Sequence, residues 1–340
     1  MRPRVCIMAG GAGTRLKPLS STEEGKLPKQ FLPLTGPMTL FQQTVGRMPA
    51  YCDLLVIPER RYSREVIRQA EAIGVSSVEV LDEPYGCNTA PAVTAAAAWT
   101  AVKHRSPDQV ICMVPADHVM DEKVFQKLFS RAVEAAEKQN CIITIGITPD
   151  RPETGYGYIK AEGSGDLIPV DAFVEKPDVQ RAQEYYASGS YFWNSGMFFG
   201  KAGLFVELAE TFCPEIAGPI VEGFQSGEQN VDRAYRAIKE GGFGRSIDYA
   251  VMEKIPHRIL LVPAPQELRW NDLGSWESLG SCLLPDKQGN RMITSASADT
   301  QECRGTMVFN YTSIPVVMEG VSDMVLVVTE DGILLRRRKG

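Results

Sequence analysis

The sequence lacks the features that mark a disulfide-stapled or zinc-binding protein. Its eight cysteines are Cys6, Cys52, Cys87, Cys112, Cys141, Cys213, Cys282 and Cys303, and none forms a CxxC pair. Several of them, such as Cys6 and Cys112, lie inside apolar runs, which is typical of buried thiols in a reducing compartment. Only three histidines are present, so a histidine-rich metal site is disfavoured as well.

Long apolar runs and an excess of basic charge are also missing. No stretch reaches the roughly 18 apolar residues of a membrane-spanning helix. Residues 1–10 resemble a strand that leads into glycines rather than a signal peptide. The formal net charge of -6 disfavours a general nucleic-acid binder, which needs a basic surface. We therefore expect a cytoplasmic protein that binds small molecules and neither nucleic acid nor a membrane.

Short apolar runs alternate with segments of helical composition in the first half of the chain. Strands are predicted at residues 5–9, 54–58, 78–81, 110–115 and 141–147, and helices at 39–48, 63–73, 90–103 and 122–139. This alternation predicts an α/β domain with a doubly wound, mostly parallel sheet, whose ligands bind at the carboxyl ends of the strands. Further strand-like pieces lie at 158–161, 172–175, 197–200 and 258–263, with longer, less regular connections. We interpret them as the second half of the same domain.

The end of the chain has a different pattern. Residues 286–305 are polar and turn-rich, and short strand-like runs follow at 306–310, 315–318, 324–328 and 333–335. The sequence thus predicts a main domain over 1–285 and a small all-β, β-helix-like domain over 286–340. Because strands this short seldom stand alone, we expect the small domain to pack on the main domain or on another subunit, and to form a homodimer.

A glycine-rich loop follows the first predicted strand, with the sequence GGAGTRL at residues 10–16. Glycines let backbone N–H groups approach a phosphate, and Arg15 can bind phosphate oxygens through two N–H groups. The Walker spacing Gly-x4-Gly-Lys-Ser/Thr does not occur. The dinucleotide fingerprint fails because its third glycine would fall on Leu16. Taken alone, such a turn can equally be structural.

A second basic segment, PKQFL at residues 28–32, contains Lys29. Together with GGAGTRLKPLS at residues 10–20, it resembles the sugar nucleotide pyrophosphorylases, and its KQFL form is similar to the mannose-1-phosphate guanylyltransferases. The resemblance implies a Rossmann-like nucleotidyltransferase fold, Mg²⁺ as cofactor, and transfer of a guanylyl group from GTP to mannose 1-phosphate. A sugar phosphate is already an anion near neutral pH. We therefore expect direct in-line attack on the α-phosphorus without a general base.

Further segments match the family in order along the chain: 83–91, 115–118, 154–159, 174–177, 193–198 and 270–276. The resemblance implies that the nucleotide is bound by Ala9, Gly10, Gly11, Gly13, Thr14, Glu83, Pro84 and Asn88. It implies that the sugar phosphate is bound by Gly155, Tyr156, Gly157, Glu175, Lys176 and Asn194. The expected catalytic cations are Arg15, Lys29 and Lys176, and the expected metal ligands are Asp117 and Asp272.

Several of these residues also have a purely structural interpretation. Asp117 follows a predicted strand, where a carboxylate can hold Mg²⁺ or can simply cap a helix; a second acid, Asp272, favours the metal. Asn88 can cap the alanine-rich helix that follows it. A lone pair such as Glu175 and Lys176 is usually a solvated surface pair. In the segment SIDYAVMEK at 246–254 we expect Ser246 to cap a helix and leave the role of Asp248 open.

Three alternatives stay open at this point. The chemistry can use another nucleotide and another hexose 1-phosphate, or the protein can be a pyrophosphorylase-like regulator without turnover, against which the intact charged residues argue. A nicotinamide-dependent dehydrogenase is weakened by the failed glycine fingerprint. The loop at 21–27 is expected to be mobile. The chain ends at residue 340, without the isomerase domain of some longer relatives, so we expect transfer activity alone.

Overall fold

A computed structural model describes residues 1–11, 13–20, 26–227 and 229–338. Most of the loop at 21–27 lies outside these described residues. The expectation that this loop is mobile therefore concerns residues that the structure does not describe. The chain divides into two compact units. The first comprises residues 1–11, 45–116 and 120–270, and the second comprises the described residues of 12–44, 117–119 and 271–340. The expected domain boundary at residue 285 stays a prediction.

The first unit contains the large sheet. Its strands are β1 (Arg4–Ala9), β2 (Asp53–Pro58), β3 (Val78–Val80), β4 (Val110–Pro115), β5 (Ile142–Ile147), β6 (Tyr158–Lys160), β7 (Ile168–Pro169), β8 (Ala172–Val174), β9 (Tyr191–Lys201) and β10 (Ile259–Ala264). They are arranged in the order β3-β2-β1-β4-β9-β5-β10-β7, and β6 pairs with β8 and β9. β1 pairs in parallel with β2 and β4, β2 with β3, and β5 with β10. The predicted α/β fold with a mostly parallel sheet is confirmed.

The strand β9 is longer than the sequence predicts and runs antiparallel to both β4 and β5. Only residues 197–200 are expected as a strand, whereas β9 begins at Tyr191 and ends at Lys201. Its register against β5 shifts between Thr144 and Gly146. The polar residues Asn194 and Ser195 interrupt the apolar run, which is why the pattern indicates only the second half of the strand.

The helices are α1 (Leu40–Arg47), α2 (Ser63–Glu71), α3 (Thr89–Ala98), α4 (Glu122–Lys138), α5 (Val179–Ser188), α6 (Ala202–Phe212), α7 (Pro214–Ser226), α8 (Gln229–Glu240), α9 (Ile247–Ala250) and α10 (Trp276–Ser281). The first four match predicted helices, although a π-helical turn at Trp99–Lys103 follows α3. The expectation of irregular connections is wrong for α5 to α8. In α7, Pro219 and two glycines lie inside the helix, and these residue types indicate turns in a sequence.

The helix α3 forms the centre of the first unit's core. Its residues from Ala90 to Ala98 are all buried, and they pack in one cluster with apolar residues of α6, α7 and the sheet. A helix that is apolar on every side must be buried in this way. No helix in the described part of the chain is both long enough and apolar enough to cross a membrane.

The second unit contains the C-terminal strands β11 (Arg291–Thr294), β12 (Ala298–Gln301), β13 (Met307–Asn310), β14 (Val316–Glu319), β15 (Met324–Thr329) and β16 (Gly332–Arg337). One sheet has the order β11-β13-β15-β16, and β12 pairs with β14. Residues 286–305, expected to be turn-rich, thus contribute two strands. Their alternately half-buried and exposed residues are too polar to indicate strands in the sequence. Leu16, Leu34 and Trp276 pack with Met307 and Phe309 in this unit's core.

Candidate functional site

In the first unit, the glycine loop begins at the carboxyl end of β1 beside Glu83. Gly10 follows β1, and a Cβ atom added to Gly10 would lie 2.6 Å from Glu83 Oε2. A side chain at this position would require the buried Glu83 carboxyl group to shift. The pKa of Glu83 is raised to about 8, because burial and, to a smaller extent, the Glu59 carboxylate outweigh the opposing hydrogen bond with Tyr235. The structure places Ala9, the last residue of β1, in register with Pro58 of β2.

The loop after β3 enters α3 through Asn88. Asn88 has φ 70° and ψ -173°, a strained backbone conformation that is usually reserved for glycine, and its side chain accepts a hydrogen bond from Thr89 N at 2.9 Å. The hydroxyl of Thr89 accepts in turn from Ile247 N at 2.9 Å. The capping interpretation of Asn88 is therefore realised in this structure. Pro84, next to Glu83, is half-buried.

In the second unit, Gly13 packs directly on Lys29. Gly13 has φ 61° in the left-handed region, and an added Cβ would lie 2.8 Å from both N and Cβ of Lys29. A side chain at this position would meet both the backbone strain and this close contact. The short helical turn Thr14–Leu16, which contains Arg15, follows directly. The absence of a side chain at Gly13 thus leaves room for the lysine that the sequence predicts as catalytic.

The Lys29 ammonium group lies between acidic and carbonyl oxygens. Its side chain is only 5% exposed, and Nζ lies 2.9 Å from Asp117 Oδ2. Nζ also donates to the backbone oxygens of Asp272 at 2.6 Å and Leu273 at 3.2 Å. The three N–H groups therefore have three acceptors. Burial by itself would raise the pKa of Asp117, but the charges of Lys29, His118 and Arg15 lower it overall.

The second acid, Asp272, lies in the same charged group. Its Oδ1 accepts from Gly274 N at 2.9 Å, and its Oδ2 lies 3.6 Å from Arg15 Nη2. The carboxyl group of Asp272 is mostly buried, whereas the Arg15 side chain is 64% exposed. The structure thus brings together four predicted residues of the second unit, and Arg15 is the member that extends into solvent.

A second charged group lies in the first unit, around Gly157. An added Cβ on Gly157 would lie 2.6 Å from Glu175 Oε2 and 3.2 Å from Asn194 Cβ. Asn194 N donates to the oxygen of Gly157 at 2.8 Å. The Lys176 ammonium pairs with Glu175 Oε1 and is half-exposed, and Lys176 has a positive φ of 47°. Four of the residues predicted to bind the sugar phosphate are therefore neighbours.

The remaining predicted sugar-site residues lie in the preceding loop. The Tyr156 ring makes edge contacts with Trp193 and Trp270, with ring centroids 5.1 and 5.2 Å apart. Gly155 N donates to Glu153 Oε1 at 3.0 Å. The aromatic contacts hold the loop that carries Gly155 and Gly157 against its surroundings.

Sequence reasoning missed two supports of Glu175. Glu253 Oε1 accepts a hydrogen bond from the backbone N of Glu175 at 2.8 Å. Tyr249 Oη donates to the backbone oxygen of Glu175 at 3.3 Å. Both residues belong to the segment 246–254, so their place in that segment was the available signal. The predicted cap is present, because Ser246 Oγ accepts from Tyr249 N at 3.3 Å.

The charged group of the second unit fits a divalent cation that also binds substrate. Within the described ranges there is no group of three or more His, Cys, Asp or Glu side chains that could hold a metal by itself. Lys29 Nζ contacts the Asp117 carboxylate and the backbone oxygen of Asp272, whose own carboxylate lies 3.6 Å from Arg15 Nη2. The lowered pKa of Asp117 keeps that carboxylate charged, and Mg²⁺ in phosphate-transfer sites takes few carboxylates, with phosphate and water oxygens completing its shell.

The chain is similar to known proteins over nearly its whole length. The family model of nucleotidyl transferases matches residues 4–287. The chain is 38% identical over 340 residues to the xanthan biosynthesis protein XanB of Xanthomonas campestris pv. campestris (strain B100), covering 98% of this chain and 69% of XanB. It is 34% identical to mannose-1-phosphate guanylyltransferase ManC of Salmonella typhimurium, covering 98% of this chain and 69% of ManC. A solved structure from Thermus thermophilus, described as mannose-1-phosphate geranyltransferase, has a TM-score of 0.83 at 30% identity and covers 99% of this chain and 95% of that chain.

These similarities identify the chain as an enzyme that transfers a nucleotidyl group. The chain belongs to the nucleotidyl transferase family. The resemblance to the mannose-1-phosphate guanylyltransferases, indicated by the sequence motifs, is confirmed by these relatives. Nucleotidyltransferases of this family generally use a divalent metal ion.

Proposed function

We propose that the protein transfers a guanylyl group from GTP to mannose 1-phosphate, forming GDP-mannose and pyrophosphate. One structural observation carries the chemistry: Lys29, Asp117 and Asp272, far apart in the sequence, form one charged group beside Arg15. The substrates are supported by relatives such as ManC, which is a mannose-1-phosphate guanylyltransferase. The nucleotide would be bound by Ala9, Gly10, Gly11, Gly13, Thr14, Glu83, Pro84 and Asn88.

The reaction needs positioning and charge neutralisation more than proton transfer. The sugar phosphate oxygen attacks the α-phosphorus in line, and pyrophosphate leaves from the opposite side. Because both substrates are anions, cations must offset their repulsion. Arg15 and Lys176 are the exposed cations available for phosphate oxygens, and Lys29 holds the acidic pair in place.

We propose Asp117 and Asp272 as the residues that hold Mg²⁺. When bound, the ion would supply positive charge to the phosphate oxygens. The backbone contacts of Lys29 with residues 272 and 273 keep the second acid in position for this role. The support is the donor set itself, two carboxylate groups beside a cation that compensates their charge.

The sugar would be bound by Gly155, Tyr156, Gly157, Glu175, Lys176 and Asn194. Glu175 is a mostly buried carboxylate beside a glycine that leaves room above the backbone. Such a carboxylate accepts hydrogen bonds from sugar hydroxyls, while the neighbouring Lys176 pairs with the phosphate. We also place the protein in the cytoplasm, where a nucleoside triphosphate is available and where its cysteines, most of them buried, stay reduced.

The substrate assignment predicts a clear preference in a pyrophosphate-release assay. GTP with mannose 1-phosphate should give the highest kcat/KM among the four common nucleoside triphosphates, each combined with mannose and glucose 1-phosphates. We expect at least about a tenfold advantage over each other pair, because a site built to hydrogen-bond a group rejects analogues that lack it. A higher kcat/KM for another pair would transfer the proposal to those substrates. Binding of GTP without any pyrophosphate release would favour a regulatory protein.

We further propose that residues 286–340 form a β-helix-like domain that mediates a homodimer. β11, β13 and β15 pair in parallel, and the intervening strands β12 and β14 pair with each other, which supports this architecture. β16 ends the sheet order, and its Ile333 and Leu335 are 71% and 58% exposed. An exposed apolar edge strand is a ready surface for pairing with another chain.

The dimer proposal predicts that charges on β16 shift the oligomeric state. The double variant Ile333→Lys/Leu335→Lys should sediment as a monomer at concentrations where the unchanged protein is a dimer. Val179→Lys, which alters an exposed apolar residue of α5, is the matched control and should leave the dimer intact. Equal sedimentation of all three proteins would contradict the role of β16.

A further inference from the structure

Asp248 has no assigned role so far. It lies beside the cluster of residues predicted to bind the sugar phosphate in the first unit. It belongs to α9, is half-buried, and its Oδ1 accepts a hydrogen bond from Asn194 Nδ2 at 2.8 Å. The sequence motifs connect Asn194 to the sugar, but they do not show that its amide faces a carboxyl group.

The orientation of the Asn194 amide is determined by its other contacts. Its Oδ1 accepts from Gly196 N at 2.9 Å, so Nδ2 is the atom that faces Asp248. Its backbone N donates to the oxygen of Gly157 at 2.8 Å, which fixes the residue on β9. Asn194 therefore positions one oxygen of the Asp248 carboxyl group.

Glu175 is the second carboxyl group of this site. It is 8% exposed, and its Oε2 lies over Gly157 while its Oε1 pairs with Lys176. Its backbone is held from both sides, by Glu253 Oε1 and by Tyr249 Oη. The carboxylate of Glu175 is thus rigidly placed and charge-compensated on one oxygen.

The environment of Asp248 favours its protonated form. Burial raises the pKa of Asp248, and the neighbouring Glu175 carboxylate raises it further, to about 7, although Lys176 and Asn194 act in the opposite direction. Glu253, on the following turn, also faces this group through the backbone of Glu175. The raised pKa of Asp248 therefore favours the protonated form of this one carboxyl group near neutral pH.

We propose that Asp248 is a specificity-determining residue of the hexose site, which in its protonated form donates a hydrogen bond to one ring hydroxyl while Glu175 accepts from a neighbouring hydroxyl. The inference rests on the proposed function and deepens it. One donor and one acceptor, both fixed, match a pair of adjacent hydroxyls in one orientation. In its protonated form Asp248 also adds no negative charge near Lys176, so that the dianionic phosphate of the sugar is repelled less.

Binding of the sugar phosphate should weaken as the pH rises. The group is protonated below its raised pKa, so sugar-phosphate binding is strongest below pH 7 and weakens as Asp248 ionises at higher pH. The KM for the hexose 1-phosphate should rise about tenfold per pH unit above pH 7.5, the limit for a one-proton linkage. The KM for GTP should not follow this dependence.

The variant Asp248→Asn distinguishes the effect of protonation from the effect of side-chain shape. An asparagine keeps the size, can still accept from Asn194 and always offers a donor, but it does not titrate. We expect it to fold and to bind the hexose 1-phosphate with an affinity independent of pH between 6.5 and 9. Asp166→Asn, which changes an exposed aspartate paired with Arg131, is the matched control and should keep the wild-type pH dependence.

A direct measurement on the unchanged protein does not depend on any variant. Calorimetric titration with mannose 1-phosphate at pH 8.5, in buffers of different ionisation enthalpy, should show uptake of about one proton on binding. No proton uptake, or an Asp248→Asn variant with the wild-type pH dependence, would overturn the assignment. Failure of the proposed function looks different, because then neither mannose 1-phosphate nor glucose 1-phosphate would bind or release pyrophosphate at any pH.

Discussion

Replacing Lys29 with methionine is expected to lower the rate of pyrophosphate release about 10²–10³-fold at saturating substrates. The ammonium group joins Asp117 to the backbone of residues 272 and 273, and methionine keeps the length of the side chain without the charge. The carboxylate of Asp117 would lose its nearest cation, and the loop of Asp272 would lose two hydrogen bonds. Both changes alter the place where charge is neutralised during transfer.

Lys26→Met is the matched control for this prediction. Lys26 lies three residues earlier in the sequence and pairs with Asp331 at 3.0 Å, outside the charged group of Asp117 and Asp272. We expect its rate to stay within about twofold of the unchanged protein, since surface ion pairs contribute little. Circular dichroism and thermal unfolding of both variants separate a loss of chemistry from a loss of fold. If Lys29→Met is as active as Lys26→Met, the ammonium group has no part in the reaction.

Replacing Asp272 with asparagine is expected to reduce the metal-dependent rate about 10³-fold, equivalent to roughly 4 kcal/mol of barrier. Asparagine keeps the oxygen that accepts from Gly274 N, so the loop can retain its conformation. The negative charge beside Arg15 and the proposed metal ligand are lost. Asp117→Asn should have an effect of similar size, because the pKa of Asp117 is lowered and its carboxylate is charged at neutral pH.

The measurement is a titration of activity with Mg²⁺ and with Mn²⁺. Both variants should need at least about tenfold more metal for half-maximal rate, in keeping with the loss of one ligand. Asp299→Asn, an exposed aspartate of β12 in the same unit, is the control and should titrate like the unchanged protein. Unaltered metal dependence in Asp272→Asn would remove that residue from the proposed metal pair.

The parallel strands could be predicted because each strand is encoded by a recognisable run of adjacent residues. The runs ending at Ala9, Pro58 and Pro115 are continuous, apolar and short, and a strand buried on both faces has that pattern. The glycine loop is recognisable for the same reason, since its residues are adjacent in the sequence. The helices between residues 179 and 240 escape prediction where Pro219 suggests a turn, although the packing around a helix can tolerate such a residue.

The site could be predicted as residue types but not as contacts. Arg15, Lys29, Asp117 and Asp272 are identified from motifs, yet nothing in those motifs shows that Lys29 donates to two backbone carbonyl groups. Main-chain acceptors have no sequence signature, because every residue carries one. The facing of Asn194 toward Asp248 is equally invisible in the sequence, since it depends on the shifted register of β9 against β5.

The contacts of Lys29 also constrain the order in which the protein can mature on the ribosome. Lys29 Nζ bonds to a carbonyl group 243 residues further along the chain. Closing so long a loop carries an entropic cost that only late, cooperative packing offsets, and contacts of this separation form slowly. A nascent chain that has emerged only as far as residue 270 contains the glycine loop and the whole large sheet but lacks Asp272. Synthesis of the last part of the polypeptide is therefore the step that completes the charged group.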